Sequence, residues 1–456
     1  MVSLRTWKSG FILAMCVCYL LYFFFPNSLL FYLLSGFCFV VYFLGVLTVR
    51  GVARFITLTL FLLAILINVH NKEAPLEAGL EGIQQNLPLL ALIILVPLLS
   101  IPLKAGGYFH SIKHFIRKWE GQPRLAFFGL SSFLALISPI LNMGSVKIVH
   151  EMVEKLRINP MILGKSYLIG FTSSMLWSPY FASVAIVLHE VGGQFNQYIG
   201  LGLAVAILQL LIGNLLFKQS SKKIYGRPRR ARENRSAKAE NDQVHRINLL
   251  KILCTLVAMI ISLLILESIT RISMLTLVSL IAVFVPFLWA GVFHQWKGLA
   301  AEFNGYLKKI SQMDHEITLF LSAGLFGLAL RNTDFADQLQ AFLMEFAEQS
   351  LLLFVLIIFL IVLFFAFIGV HQIVVIPILA SQVSAASVGM SPEFLALIFI
   401  MAWSMTAVLC PLNAINIIVS HCLQRNGLMI GFRWNGTYVM SLVSILIVAI
   451  TVYGLF

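Results

Sequence analysis

The chain has 456 residues, of which 60% are hydrophobic and only 11% charged, and its mean hydropathy is +0.93. Soluble proteins carry about 25% charged residues, so this composition excludes a soluble protein and predicts a polytopic membrane protein of α-helices. The net charge of +13 does not indicate nucleic-acid binding. The basic residues lie in short loops between apolar runs, as the positive-inside bias predicts, and no nucleic-acid motif accompanies them.

The first half of the chain contains five uninterrupted apolar runs, an amphipathic stretch and two interrupted apolar regions. Arg5 and Lys8 place the N-terminus in the cytoplasm, and the first run lacks a signal-peptide cleavage site, so we expect it to be retained. The stretch 104–124 interleaves basic and aromatic residues, which predicts an interfacial helix. The predicted elements are spans at 10–25, 28–49, 54–70 and 87–103, an interfacial arm at 104–124, a hairpin at 125–148, a broken span at 161–190 and a span at 198–217.

The second half follows a basic loop at 218–248 and contains a similar series. The positions of the charged residues predict that the first hairpin enters the membrane from the cytoplasm and the second from outside. The predicted elements are spans at 249–267 and 273–293, an interfacial piece at 294–313, a span at 315–330, an external polar stretch at 331–349, a hairpin at 350–381, a broken span at 394–420 and a last span at 434–455.

These elements make about eleven transmembrane helices and two opposed re-entrant hairpins. When the two halves are aligned at Pro179 and Pro411, Ser174 pairs with Thr406, Ser178 with Cys410 and Ala182 with Ala414. Interrupted segments in corresponding positions of two halves are the sequence signature of an inverted repeat, and they mark the binding site of secondary transporters. The predicted fold class is therefore an all-α polytopic membrane protein with an inverted repeat.

Interrupted helices at bilayer depth expose backbone N–H and carbonyl groups, and these can bind an anion or a cation. Ser and Thr at such positions can also simply cap helices or join them by hydrogen bonds. The candidate substrate- or ion-binding residues are, at the hairpin tips, Asn142, Gly144, Ser145, Gly369, His371 and Gln372 and, at the helix breaks, Ser174, Ser178, Pro179, Thr406, Pro411 and Asn413.

Several charged residues near these breaks have two interpretations. His371 is either a functional group within the membrane or a neutral histidine bonded to a carbonyl. Lys147 either attracts an anion or pairs with Glu151 one turn later. The six cysteines and the histidines lack metal-ligand spacing, and no catalytic motif is present. The sequence therefore predicts no enzyme, no metal and no cofactor, apart from Na⁺ or H⁺ as a coupling ion.

The turn Cys410-Pro411-Leu412-Asn413-Ala414-Ile415, with Ser178-Pro179 as its partner, resembles the ion transporter superfamily. Its members include divalent-anion/sodium symporters, the large permeases of TRAP transporters, and arsenite or sodium/proton antiporters. The symporters carry Ser-Asn-Thr at each hairpin tip, and this chain departs from that pattern. Asn142-Met143-Gly144-Ser145 has another order, and Gly369-Val370-His371-Gln372 contains none of the three residues.

The resemblance implies a homodimer in which a transport domain slides against a scaffold as an elevator. The expected organisation is scaffold at 1–124, transport domain at 125–217, basic loop at 218–248, scaffold at 249–349 and transport domain at 350–456.

The predicted function is ion-coupled secondary transport of a small anionic organic solute across a bacterial cell membrane. Two alternatives stay open. One is a cation/proton antiporter with His371 as the proton carrier, and the other is a membrane protein that handles a lipid-linked substrate.

Overall fold

The computed structural model describes residues 2–70, 75–106, 109–156, 158–224, 239–270, 272–331 and 333–453. These residues form helices and connecting turns, without a β-strand among them, which confirms the predicted all-α class. Through the first half, the helices in chain order are α1 Val2–Phe24, α2 Ser28–Val46, α3 Gly51–His70, α4 Pro75–Gln84, α5 Leu87–Leu95, α6 Ser100–Ala105, α7 Phe109–Arg117, α8 Pro123–Leu141, α9 Gly144–Val153, α10 Pro160–Ser174, α11 Ala182–Val191 and α12 Phe195–Ile224.

The second half continues this series, and a π-helix at Met429–Trp434 precedes the last helix. Its helices are α13 Ala239–Thr270, α14 Met274–Val292, α15 Trp296–Ile310, α16 Asp314–Arg331, α17 Asp334–Gln349, α18 Leu351–Ile368, α19 Gln372–Ser381, α20 Pro392–Leu409, α21 Ala414–Leu423 and α22 Asn435–Tyr453.

Ten helical stretches of the described chain are long and apolar enough to cross a membrane, and the bent pair α15–α16 would make eleven. They include α8 and α18, the first arms of the predicted hairpins. At 1.5 Å per residue these arms are about 27–29 Å long, whereas the second arms α9 and α19 are about 15 Å long. Each predicted hairpin thus consists of one span-length arm and one short arm.

Helices also occupy parts of the chain between the predicted spans. Helix α4 precedes the fourth predicted span and α17 lies in the polar stretch 331–349, and the acidic residues of both occur at helical spacing. The basic loop is shorter than 218–248, since α12 runs to Ile224 and α13 begins at Ala239. Residues 225–238 of that loop, with most of its arginines, lie outside the described residues.

The chain divides into two compact units. The first comprises Met1–Pro102, Ile272–Glu345 and Ile373–Val383. Within it α16 packs against α2, α3 and α4, and α14 packs against α5. An ion pair between Lys8 and Asp314 joins the start of α1 to the start of α16. A buried charge needs a partner of opposite sign, and Asp314 provides that partner for Lys8.

The second unit comprises Leu103–Arg271, Phe346–Gln372 and Ser384–Phe456, and it contains all twelve candidate residues. Its centre is formed by α10 and α20, whose residues are almost all buried. Helix α10 approaches α8 closely at Gly170, where a Cβ atom would collide with the backbone of Ser131. Small residues allow membrane helices to pack at this distance. Scaffold and transport roles for the two units stay a prediction.

Candidate functional site

The second hairpin and the second helix break meet through a hydrogen bond between two side chains. Helix α18 ends at Gly369, whose φ of 98° lies in the left-handed region that glycine adopts without strain. The N–H groups of Gly369 and Val370 bond the carbonyls of Ala366 and Phe365, which satisfies the helix end. Two residues later Gln372 begins α19, and its side-chain Oε1 accepts a 2.9 Å hydrogen bond from Nδ2 of Asn413.

The orientation of both side-chain amides follows from this network. Asn413 is the N-cap of α21, and its Oδ1 accepts the backbone N–H of Ile415 at 3.1 Å. Asn413 therefore has only its amide nitrogen to offer to Gln372, so the oxygen of Gln372 must face it. The remaining donor, Nε2 of Gln372, is buried without a hydrogen-bond partner.

Helix α20 presents a second buried polar atom on the face that touches this hairpin. Trp403, Thr406 and Cys410 lie on one face of α20, at i, i+3 and i+7. The ring of Trp403 lies 6.4 Å from that of His371, and Sγ of Cys410 donates to the carbonyl of Ala366 at 3.3 Å. The hydroxyl of Thr406, between these two contacts, is buried without a partner. A buried donor without a partner costs about 1–3 kcal/mol, which a bound ligand can offset.

The first helix break is held by bonds to the carbonyls at the end of α10. Ser174 is the last residue of α10, and its hydroxyl donates to the carbonyl of Phe171 at 2.7 Å. Ser178 accepts the N–H of Tyr180 at 3.3 Å, and Pro179 follows it in the turn before α11. The side chains of Ser174 and Ser178 thus serve the local backbone, which is the capping role that the sequence left open.

At each of the two breaks, a side chain early in the following helix donates a hydrogen bond to a backbone carbonyl before the break. Early in α11, Ser183 donates its hydroxyl to the carbonyl of Met175, eight residues back, at 2.9 Å. Early in α21, Asn416 donates its side-chain amide to the carbonyl of Val408, also eight residues back, at 3.0 Å. Helices α11 and α21 begin at Ala182 and Ala414, which the alignment of Pro179 with Pro411 pairs.

The tip of the first hairpin is a tight turn at Asn142 and Met143. Asn142 has φ 49° and ψ −140°, a backbone conformation outside the usual range of residues that carry a Cβ. Its carbonyl accepts the N–H and the hydroxyl of Ser145, at 3.0 and 2.7 Å, and the hydroxyl of Ser145 lies 2.8 Å from that of Ser138. Gly144 opens α9.

The hydrogen bonds of this first tip stay within its own hairpin. Oδ1 of Asn142 accepts the N–H of Met143 at 2.8 Å. Nδ2 of the half-buried Asn142 has no hydrogen-bond partner among the described residues. Lys147 is exposed on α9, and the described part of the chain contains no ion pair between Lys147 and Glu151. The structure thus joins Gln372 to Asn413 but shows no hydrogen bond from Asn142 or Ser145 to either helix break.

All four predicted breaks are shorter than predicted, since Ser174, placed at the first helix break, is still the last residue of α10. Thr406, predicted within the second break, lies inside α20, which continues to Leu409 because the N–H of Cys410 still bonds the carbonyl of Thr406 at 2.9 Å. Helix α8 runs through Ser138 and Pro139 to Leu141. Gln372, predicted at the end of the second hairpin's break, is the first residue of α19.

Sequence reasoning missed a buried polar cluster beside the two broken helices. Gln209, in the middle of α12, is fully buried between Ser173 of α10 and Ser404 of α20. A Gln in the middle of a mostly apolar span is a signal in itself, since polar residues inside the membrane usually find a partner in the bundle.

Comparison with known proteins shows which fold this is. The Alcanivorax borkumensis YdaH transporter superimposes with a TM-score of 0.57 over 87% of this chain and 97% of its own, at 12% identity. The Neisseria gonorrhoeae protein MtrF, described as illuminating a class of antimetabolite efflux pumps, superimposes with a TM-score of 0.57 over 89% of this chain and 96% of its own, at 10% identity. The chain therefore has the fold of membrane transporters. No protein-family model and no curated protein matches its sequence.

Proposed function

We propose that the chain is an ion-coupled secondary transporter of a small anionic organic solute. The observation that carries this proposal is the 2.9 Å hydrogen bond between Asn413 and Gln372, which joins the second hairpin tip to the second helix break. Nε2 of Gln372 remains as a buried donor without a partner. Donors of this kind, next to the N-terminus of a half-helix, favour a negatively charged ligand. The fold shared with YdaH and MtrF supports transport as the activity.

The similar hydrogen bonds across the two breaks support an inverted repeat. Backbone freed at bilayer depth must be satisfied within the protein, and Ser183 and Asn416, one position apart in the alignment of the two halves, each do this across eight residues. An inverted repeat allows alternating access by movement of one part against another around a fixed site. We propose elevator-type movement in a homodimer, as the resemblance to the ion transporter superfamily implies, in a bacterial cell membrane with the N-terminus in the cytoplasm.

The solute can be sought by thermal stability, because a ligand that binds only the folded state raises the unfolding temperature. Purified protein is screened against carboxylates, phosphonates and sulfonates, each with Na⁺ or K⁺. We expect at least one small anion to stabilise the wild-type protein and to lose most of that effect in Gln372→Glu, whose carboxylate repels anions. Stabilisation that is unchanged in Gln372→Glu would remove this pair of residues from the site. The similarity to an efflux pump makes export the direction to test first.

A further inference from the structure

The short arm of the first hairpin is joined to both broken helices by one imidazole. His150 lies near the end of α9, and its Nδ1 lies 3.3 Å from the hydroxyl oxygen of Tyr167 in α10. The two rings meet edge to face, with their centroids 6.0 Å apart. The ring of His150 also hydrogen-bonds the backbone carbonyl of Cys422 in α21. We call His150, Tyr167 and Cys422 the hairpin junction, because α10 belongs to the first broken helix and α21 to the second.

The packing of α9 brings His150 to this position. Val146, Val149 and Val153 recur at helical spacing and are at most 1% exposed, so they form the buried face of α9. The helix packs against α7, α8 and α21. His150 lies at the edge of the buried face and is half-buried, whereas Tyr167 is completely buried. The hairpin junction therefore lies where the short arm meets the protein interior.

The hydrogen bonds of the junction determine which nitrogen of His150 carries the proton. A carbonyl oxygen only accepts, so the nitrogen that faces Cys422 must be an N–H group. A neutral imidazole has one N–H, which leaves Nδ1 as an acceptor for the hydroxyl of Tyr167. That hydroxyl has no other hydrogen-bond partner in the part of the chain that the structure describes. The junction is thus fully bonded when His150 is neutral.

The surroundings of His150 favour this neutral form. Burial lowers the pKa of His150 below its usual range, and this effect exceeds the opposing ones of Glu154, the Cys422 carbonyl and Glu151. The titratable groups on α10 and α21 are the phenol of Tyr167 and the thiol of Cys422. Among the described residues, no charge on α7 or α8 contributes to this balance. A histidine pKa ordinarily lies near about 6.5, so His150 is neutral at neutral pH and gains a proton in acid.

Protonation changes what the junction can bond. A charged imidazole carries N–H groups on both nitrogens, so Nδ1 can no longer accept the proton of Tyr167. The hydroxyl of Tyr167 is then a buried donor without an acceptor, which destabilises the contact. The junction is therefore stable above the ordinary pKa of histidine and is weakened as the pH falls below it.

We propose that His150 is a positioning residue that holds the first hairpin against both broken helices when it is neutral and releases the hairpin when it is protonated. Release frees α9 to move, so transport is faster in acid. The effect on transport rests on the proposed function, whereas the release of the hairpin does not.

Hydrogen exchange of α9 tests the junction without knowledge of the solute. Exchange of peptides that cover Gly144–Val153 is measured on the purified full-length chain at about pH 7.5 and about pH 5.5, on either side of the ordinary histidine pKa. The rates are corrected for the intrinsic pH dependence of amide exchange. In the wild type we expect corrected exchange at least about fivefold faster at the lower pH, because local opening becomes easier.

Two variants remove this response in different ways. In His150→Asn, Oδ1 takes the place of Nδ1 and does not titrate, so the two rates should agree within about a factor of two. Tyr167→Phe removes the buried donor and should lose most of the pH dependence, and it serves if the first variant fails to fold. Equal corrected rates at both pH values in the wild type would overturn the proposal. A wild-type ratio in both variants would overturn it as well.

His421→Asn is the matched control, because His421 is an exposed histidine next to Cys422 on α21. It should keep the wild-type ratio, and loss of the ratio in this control would overturn the role of His150. Exchange that depends on pH through His150, without transport of any solute, would refute the proposed function and leave the junction standing. Solute transport by a protein whose α9 exchange does not respond to pH would do the reverse.

Discussion

Asn413 donates to Gln372 and caps α21 with the same side chain, so one residue fixes both the second hairpin tip and the start of a half-helix. Its two side-chain atoms serve these two roles separately. The capping role contributes to stability and the hairpin contact to the proposed site, and substitutions can separate them.

Asn413→Ala removes the cap and the hairpin bond together. Loss of an N-cap costs about 1 kcal/mol, and Gln372 is left with two unsatisfied buried atoms, so we expect a lower unfolding temperature and loss of most transport. Asn159→Ala is the control, because Asn159 caps α10 in the same way at an exposed site, bonding Met161 at 2.8 Å. Its stability should fall only by the capping contribution of about 1 kcal/mol, less than in Asn413→Ala, while transport continues. Equal transport in the two variants would show that Asn413 only caps.

Gln372→Glu keeps an acceptor for Asn413 but removes the free donor. The fold should survive, because the bond from Nδ2 of Asn413 remains. Affinity for the anionic solute should fall by a factor of about ten or more, since a lost hydrogen bond to a charged group is worth about 1.5–3 kcal/mol. Titration calorimetry with the screened anion measures this directly, and an unchanged dissociation constant would contradict the assignment.

Asn142→Gly separates the contribution of the first hairpin tip to stability from its contribution to transport. Glycine adopts the φ of 49° and ψ of −140° without the strain that a Cβ brings, typically about 1–3 kcal/mol. We therefore expect an unfolding temperature equal to or above that of the wild type. The substitution also removes Nδ2, which has no hydrogen-bond partner among the described residues, so transport should fall. Wild-type transport in a stable Asn142→Gly protein would remove Asn142 from the site.

Gly202→Ala and Gly431→Ala test whether the breaks depend on close helix packing. A Cβ at Gly202 would lie 2.5 Å from the carbonyl oxygen of Leu176, and one at Gly431 would lie 2.6 Å from that of Leu409. Overpacking of this kind costs about 1–3 kcal/mol. Both variants should unfold at lower temperature, whereas Gly200→Ala, with open space around it, should match the wild type. Equal unfolding temperatures for the three variants would contradict this close packing.

His371→Gln separates the proposed transporter of an anionic solute from a cation/proton antiporter. His371 stands half-buried beside the ring of Trp403, and in an antiporter its protonation would drive the cycle. We expect transport by His371→Gln to keep the pH dependence of the wild type. A strong wild-type pH dependence that disappears in the variant would favour the antiporter.

The sequence predicted the membrane fold and the positions of its interruptions because hydropathy and breaker residues act locally. Gly369, Pro411 and Asn413 end or begin helices through their own backbone or side-chain chemistry, so their places could be foreseen. Thr406 was placed in the break wrongly, since α20 continues past it to Leu409 and ends only just before Cys410-Pro411. Gln372 and Asn413 are 41 residues apart, so no local pattern shows their contact. In the same way, no local pattern shows which residues of another span Gln209 meets.

The most direct test of transport at this site is uptake or release of the screened anion in proteoliposomes under an imposed Na⁺ or proton gradient. We predict that wild-type vesicles move the anion against its concentration gradient, and that Asn413→Ala and Asn142→Gly proteins, reconstituted in equal amounts, do not. Transport would be contradicted if wild-type vesicles behaved like protein-free vesicles for every anion. The assignment of the site would be contradicted if both variants transported like the wild type.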